Sequence, residues 1–139
     1  MKTTALSRPH EAVSFFVPGV PRALSVGTTR RVGRKVYQGR RNNEWADHIG
    51  RVAWQQYVGM RPMDGPVSMT ISAYVPRPKR VADDFPIRRP DLDNLIHKIT
   101  DRFIGLFYHD DAQIVRLSAW KRYADGRPPG LDITVEEER

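Results

Sequence analysis

Pro90-Asp91-Leu92-Asp93-Asn94-Leu95-Ile96-His97-Lys98-Ile99 is the stretch on which the fold turns. A polar, proline-rich loop ends at Pro90, and from Leu92 the apolar residues fall into helical spacing. Leu92, Leu95, Ile96, Ile99, Phe103 and Leu106 share one stripe, which predicts a helix running to about residue 107. Proline disfavours helix at the residue before it, and Asp91 suits the N-cap or first helical position. Working outward, residues 67–75 alternate Val67, Met69, Ile71, Ala73 and Val75 against Ser68, Thr70, Ser72 and Tyr74. That alternation predicts a strand buried on one face. Residues 113–122 return to a strand pattern with Val115, Leu117 and Ala119 on one face, so the helix lies between two strands.

Further out, residues 13–17 form an apolar run closed by Pro18-Gly19-Val20-Pro21, a strand and a turn. Residues 28–32 and 35–38 flank Gly33-Arg34 and predict a short exposed hairpin. Asn42 or Asn43 caps a helix to about residue 58, stopped by Gly59 and Pro62. Trp45, Ile49, Val52, Ala53 and Gln56 recur at its buried face, and Trp54 and Tyr57 at its margin read as packing aromatics rather than base stackers. Residues 125–130 are a loop and 131–135 a last strand. The predicted fold is α+β: a single domain with a mixed β-sheet and two main helices, spanning 13–137 after a disordered tail at 1–12.

Composition narrows the function. The 139 residues carry a formal charge of +7, with 28% charged and 40% apolar, which describes a globular chain long enough for a real core. No run approaches the roughly 18 apolar residues of a membrane helix, and no signal peptide opens the chain. Without cysteine there are no disulfides and no thiolate metal sites; the expectation is a cytoplasmic protein without a membrane partner. Arg22, Arg30, Arg31, Arg34, Lys35, Arg40 and Arg41 form one basic run with no acid among them. Arg77, Lys79, Arg80, Arg88 and Arg89 form a second that leads into the first acidic cluster. Clusters of this kind are the electrostatic footprint of phosphate contacts.

Set in this basic chain are two acidic clusters, Asp91 with Asp93 and Asp110 with Asp111. Carboxylates brought together repel one another unless a cation sits between them, and oxygen-only donors suit Mg²⁺ or Mn²⁺. Asp91 and Asp93 diverge by about 200° on a full helix, so they share a ligand only at a loop-to-helix junction. Asp93, His97 and Asp101 recur at four-residue intervals on the polar face, with Lys98 one position round. Asp101 reads as an ion-pair partner for His97 or Lys98 rather than a ligand. Asp110-Asp111 reads equally well as helix-to-strand punctuation, and whether Asp111 returns to Asp91 depends on the fold. No P-loop, nucleophilic triad or dinucleotide fingerprint competes.

The string from Arg89-Pro90-Asp91-Leu92-Asp93-Asn94-Leu95 to His109-Asp110-Asp111-Ala112-Gln113-Ile114-Val115, followed by Trp120-Lys121-Arg122-Tyr123, resembles the RusA family of phage and bacterial Holliday junction resolvases. The resemblance spans about residues 15–136, its N-terminal half in layout only. It implies a homodimer that binds four-way DNA junctions and makes paired symmetric nicks with Mg²⁺ in recombination and repair. It carries the essential carboxylates onto Asp91, Asp93 and Asp111, with Asp110 at the neighbouring acidic position. The family pattern has a lysine four residues after the second aspartate, where this chain has His97 followed by Lys98. Either His97 substitutes, with pH-dependent activity near neutrality, or Lys98 turns in, or catalysis is impaired. The competing readings are a non-catalytic binder of junctions or structured nucleic acid, and a basic RNA-binding or ribosome-associated domain. The second explains the charge but not the acids.

Overall fold

The computed structural model of the chain describes residues 12–22, 29–38, 44–97 and 99–138. Strand β4 (Val67–Val75) is the axis of the sheet, because its alternation buries Val67, Met69, Ile71, Ala73 and Val75 almost completely. It pairs antiparallel with β6 (Gly130–Glu137), which pairs antiparallel with β1 (Ala12–Pro18). On its other side β4 pairs parallel with β5 (Ile114–Tyr123), giving the order β1-β6-β4-β5. Parallel neighbours need a long crossover. Here the crossover is residues 76–113, the segment that carries both acidic clusters. The sheet is mixed and the fold is α+β, a single domain, as the patterns predict. Strands β2 (Thr29–Val32) and β3 (Lys35–Gln38) form the separate hairpin, turning at Gly33, whose φ of +62° suits glycine. The expected tail falls outside the described residues apart from Ala12, which begins β1.

Helix α1 (Glu44–Tyr57) buries Trp45, Ala46, Ile49, Gly50 and Ala53. Gln56, expected on that face, is exposed. Tyr57 takes its place: the hydroxyl donates to the Ser14 carbonyl at 3.0 Å, and the ring meets Phe15 and Phe107 edge-on at 5.7 and 5.4 Å. Phe15, Phe103 and Phe107 complete an aromatic cluster, each burial contributing roughly 1.5–3 kcal/mol.

The second predicted helix is broken in two, α2 (Leu92–Ile96) and α3 (Ile99–Arg102), with His97 extended between them at φ −60°, ψ 128°. The buried stripe survives, since Leu95, Ile99, Phe103 and Leu106 are all essentially inaccessible. Further on, Leu106, Phe107 and Tyr108 are buried in succession, which no helix with one exposed face permits. The chain turns instead at Gly105 (φ +86°), whose amide donates to the Tyr108 carbonyl at 2.7 Å. The Tyr108 hydroxyl donates to the Thr100 carbonyl at 2.6 Å, and the Met63 amide donates to the Phe107 carbonyl at 2.8 Å. Helices α3 and α1 approach closely at Gly50, where a Cβ would lie 3.3 Å from the Cβ of Arg102. Among the described residues no helix is long and apolar enough to cross a membrane.

Candidate active site

Asp91 is the N-cap residue of α2, extended at φ −72°, ψ 139°, and its side chain makes no capping bond. Its carboxylate is left to face solvent, with the Arg89 guanidinium 3.9 Å away. Both side chains are more than half exposed, so this pair holds little energy. Asp93 follows in the first turn, also exposed. The backbone ahead of Asp91 is fixed by Lys121 of β5: its Nζ donates to the carbonyls of Arg88 and Pro90, each at 2.8 Å. The register places Lys121 opposite Ala73 and on the same face as Ala119, and α2 packs against β5.

The second cluster is held by Gln113. Its Oε1 accepts from the amides of His109 and Asp110 at 2.7 and 3.0 Å. Its Nε2 donates to the carbonyls of Met63 and Gly65 at 2.8 and 2.9 Å. Asp110 completes a capping box by accepting from the Ala112 amide at 2.9 Å, at the start of a single 3₁₀ turn, Asp111–Gln113. The His109 ring and Asp64 carboxylate add a 2.8 Å contact. These bonds leave Asp111 against two other acids. Hydrogen bonding to Asp110, then to Asp101, holds its carboxyl above the usual carboxylate range, with partial burial and both negative charges adding to the effect. Tyr108 beneath is pushed up by burial, then by Asp111 and Asp101.

Asp101 lies beside Asp111, and the Lys98 half of the ion pair expected for it falls outside the described residues. The break at His97 ends the common face, and α3 delivers Asp101 to Asp111. Lys98 lies outside the described residues; His97 is exposed at the end of α2. The two clusters are anchored at different points of β5. Pro90 is tied to Lys121 near the end of β5, whereas the Asp111–Gln113 turn leads into Ile114 at its start. Among the described residues no three His, Asp or Glu side chains converge to hold a metal ion. The donor chemistry still fits a hard divalent cation: every donor is a carboxylate oxygen, and the negative charge that Asp110 and Asp101 each bring to Asp111 is what such a cation relieves.

The basic residues divide. Arg88 and Arg89 line a cavity next to Asp91, and Lys79, Arg80 and the hairpin-tip Arg34 are exposed. Arg77 is engaged within the chain. It donates twice to Asp125 at 2.9 and 2.8 Å, and to the carbonyls of Val81 and Asp83 at 3.0 and 2.8 Å, with its guanidinium over Tyr123. That geometry fastens the loop after β4. The side chains of Arg30, Arg31 and Lys35, and all of Arg40 and Arg41, lie outside the described residues.

Sequence reasoning missed Lys121, Gln113 and the role of Asp101. A signal existed for the first, since strand alternation puts Lys121 on the face of Leu117 and Ala119, an unusual place for a lysine without a partner. For Gln113 the signal was its position three residues after Asp110, the capping-box spacing. Asp101 had none, because its direction depends on a helix break.

Comparison with known proteins places these features in a lineage. The chain is 31% identical over 104 residues to the uncharacterized protein YqaN of Bacillus subtilis (strain 168), an alignment covering 60% of this chain and 72% of the relative. Residues 18–136 match the family described as Endodeoxyribonuclease RusA, a span that takes in both acidic clusters, the crossover and the whole of β4, β5 and α1. The chain belongs to the RusA endodeoxyribonuclease family.

Proposed function

We propose that the protein is a Mg²⁺-dependent, homodimeric endodeoxyribonuclease that resolves four-way DNA junctions by paired symmetric phosphodiester hydrolysis, serving recombination and repair. The observation that carries this reading is the family match across residues 18–136, since it includes both acidic clusters. Asp91, Asp93 and Asp111 would hold the cation, with Asp110 beside them and Asp101 joining from α3. When bound, Mg²⁺ (Mn²⁺ as a substitute) supplies charge neutralisation and an activated water for in-line attack on the phosphodiester. The chain's own part is to hold the acids in place, Asp91 through the Lys121 clamp and Asp111 through the Gln113 bracket. Exposed Arg88 and Arg89 bind and orient the phosphates on either side of the cut, and His97 or Lys98 supplies a cation near the transition-state charge.

Symmetric nicking needs two sites related by a two-fold axis. Strand β5 is the edge on which a second copy would dock: β4 pairs with one side of it only, and Val115, Leu117 and Trp120 are 65%, 45% and 51% exposed. An apolar edge strand left open invites pairing with another strand. The rival reading, a non-catalytic junction binder, draws support from the lack of three converging metal ligands among the described residues. One assay separates them: purified protein with a synthetic four-way junction and linear duplex, with Mg²⁺ or EDTA, on a denaturing gel. Paired nicks on opposed strands, confined to the junction and to Mg²⁺, are expected. Binding without cutting in any divalent metal makes the chain a binder.

A further inference from the structure

We propose that the cavity beside Asp91 is a nucleobase pocket, which receives one unstacked base of the DNA next to the phosphodiester to be cut. The inference rests on the nuclease reading and deepens it by naming what the site recognises. The cavity, about 190 Å³, opens beyond the carboxyl ends of the parallel strands β4 and β5. Its walls are Val75 and Pro76 at the end of β4, Tyr123 at the end of β5, Pro86 and Pro90 of the crossover loop, and Val20 of the turn after β1. Crevices at the carboxyl ends of parallel strands are where open sheets bind ligands.

The shape and chemistry of the walls select the occupant. Proline rings present flat, rigid, apolar surfaces with little side-chain entropy to lose on binding, and Tyr123, buried with the Arg77 guanidinium over its ring, is held in place. The volume is below the roughly 300–1,000 Å³ of pockets for drug-sized ligands, so there is room for one heterocyclic ring system. Arg88 and Arg89 line the same cavity and are exposed, so they favour a ring that carries an anion. In a chain of this nuclease family, the aromatic ring that carries a phosphate is the nucleotide of its DNA. The Arg89 guanidinium lies 3.9 Å from the Asp91 carboxylate, so a phosphate bound there is next to the first acidic cluster. Lys121 fixes the wall by holding the carbonyls of Arg88 and Pro90.

A base stacked in duplex cannot enter such a cavity. Extrusion costs a few kcal/mol in duplex and least where pairing is already lost, so the exchange point of a branched DNA is the cheapest donor. The pocket thereby gives the enzyme a means to favour one base beside the cut, and to favour junctions over duplex.

The test places 2-aminopurine singly at each position flanking the exchange point of a synthetic junction, with Ca²⁺ in place of Mg²⁺ and protein at saturation. Wild type is expected to raise fluorescence several-fold at one position. Val20→Trp and Pro78→Trp, both at exposed positions on the cavity rim and so harmless to folding, fill the space and abolish the rise. With Mg²⁺ the same variants lose the wild-type bias among bases at that position. Fluorescence unchanged at every position, from a wild type that binds and cuts the junction, overturns the pocket and leaves the nuclease reading intact. Failure to cut or prefer the junction overturns the nuclease reading, and the pocket is then read from 2-aminopurine in a single-stranded oligonucleotide with the same variants. Deoxycytidine monophosphate that binds wild type but not Val20→Trp, with flat junction fluorescence, assigns the cavity to free nucleotides and overturns the proposal.

Discussion

Lys121 and Pro90 are joined by a 2.8 Å hydrogen bond from the lysine ammonium to the proline carbonyl, which sets the backbone one residue ahead of Asp91. The same ammonium holds the Arg88 carbonyl at 2.8 Å, so a single strand residue spans the loop that enters the first acidic cluster. Lys121→Met leaves both carbonyls without their partner. The expected stability loss is about 1–3 kcal/mol. Cleavage is expected to fall by about 10–100-fold, the range for residues that orient ligands without touching substrate. Denaturant unfolding and single-turnover nicking check the two effects; a variant that cuts like wild type removes Lys121 from the positioning role.

Asp111 tests whether its crowding with Asp110 and Asp101 is kept for a cation. Its carboxyl is held above the ordinary value of 3.8, so folding favours its protonated form more than the unfolded chain does. A raised folded pKa contributes stability below the unfolded pKa, and that contribution is lost as pH rises through the folded value. At neutral pH the ionised side chain therefore strains the fold, and Asp111→Asn should raise Tm, by about 1–2 °C, while abolishing cleavage. Mg²⁺ should raise the Tm of wild type and leave that of the variant unchanged. Thermal scans with and without the metal decide it.

Asp125 has the opposite sign. The Arg77 hydrogen bonds hold its carboxyl below 3.8. Its contribution is present above the unfolded pKa and is lost as pH falls through the lower folded one. Wild type should thus lose stability as pH falls below the ordinary carboxylate range towards the lowered folded value, and Asp125→Asn should flatten that part of the profile. Matching slopes of Tm against pH for the two proteins would show that the pair contributes nothing to acid stability.

Phosphate contacts are read by salt. Replacing Arg88 and Arg89 with alanine should weaken junction binding whatever the sequence, and lower the slope of log K against log salt by about two. Arg77→Ala should leave the slope unchanged and loosen the loop instead, because its donors are spent on Asp125, Val81 and Asp83. A lowered slope for Arg77→Ala would return it to the phosphate path.

Gly130 opens β6 opposite Pro18 of β1. A Cβ there would collide with the Val17 carbonyl and the Phe16 ring. Backbone on one side and a packed ring on the other leave no easy relaxation, so Gly130→Ala should cost about 3 kcal/mol. Urea unfolding measures it.

Periodicity was enough for the order of elements. The alternation at Val67, Met69, Ile71, Ala73 and Val75 and the run ended by Pro18-Gly19 are local, and a chain buries such faces whatever its partners. The acidic motif and its basic approach were likewise legible, because charge and spacing are properties of the string. The break at His97 was not. Nor was the turn at Gly105, which lets Leu106, Phe107 and Tyr108 all be buried after a stripe that by itself reads as one helix. Gln56 and Tyr57 exchanged roles for a related reason: the ring finds Phe15 and Phe107 across the core, which helix spacing does not record.

The sequence by itself determined an α+β chain of strong positive charge with carboxylates on the connection between two strands, since burial patterns and charge act over a few neighbouring residues. Only the tertiary structure decided that those strands are parallel neighbours, that Lys121 fastens Asp91, and that Asp101 meets Asp111. Each of these joins residues far apart along the chain, and strand register and helix breaks, set by the packed core as a whole, determine which distant groups come within a hydrogen bond of each other.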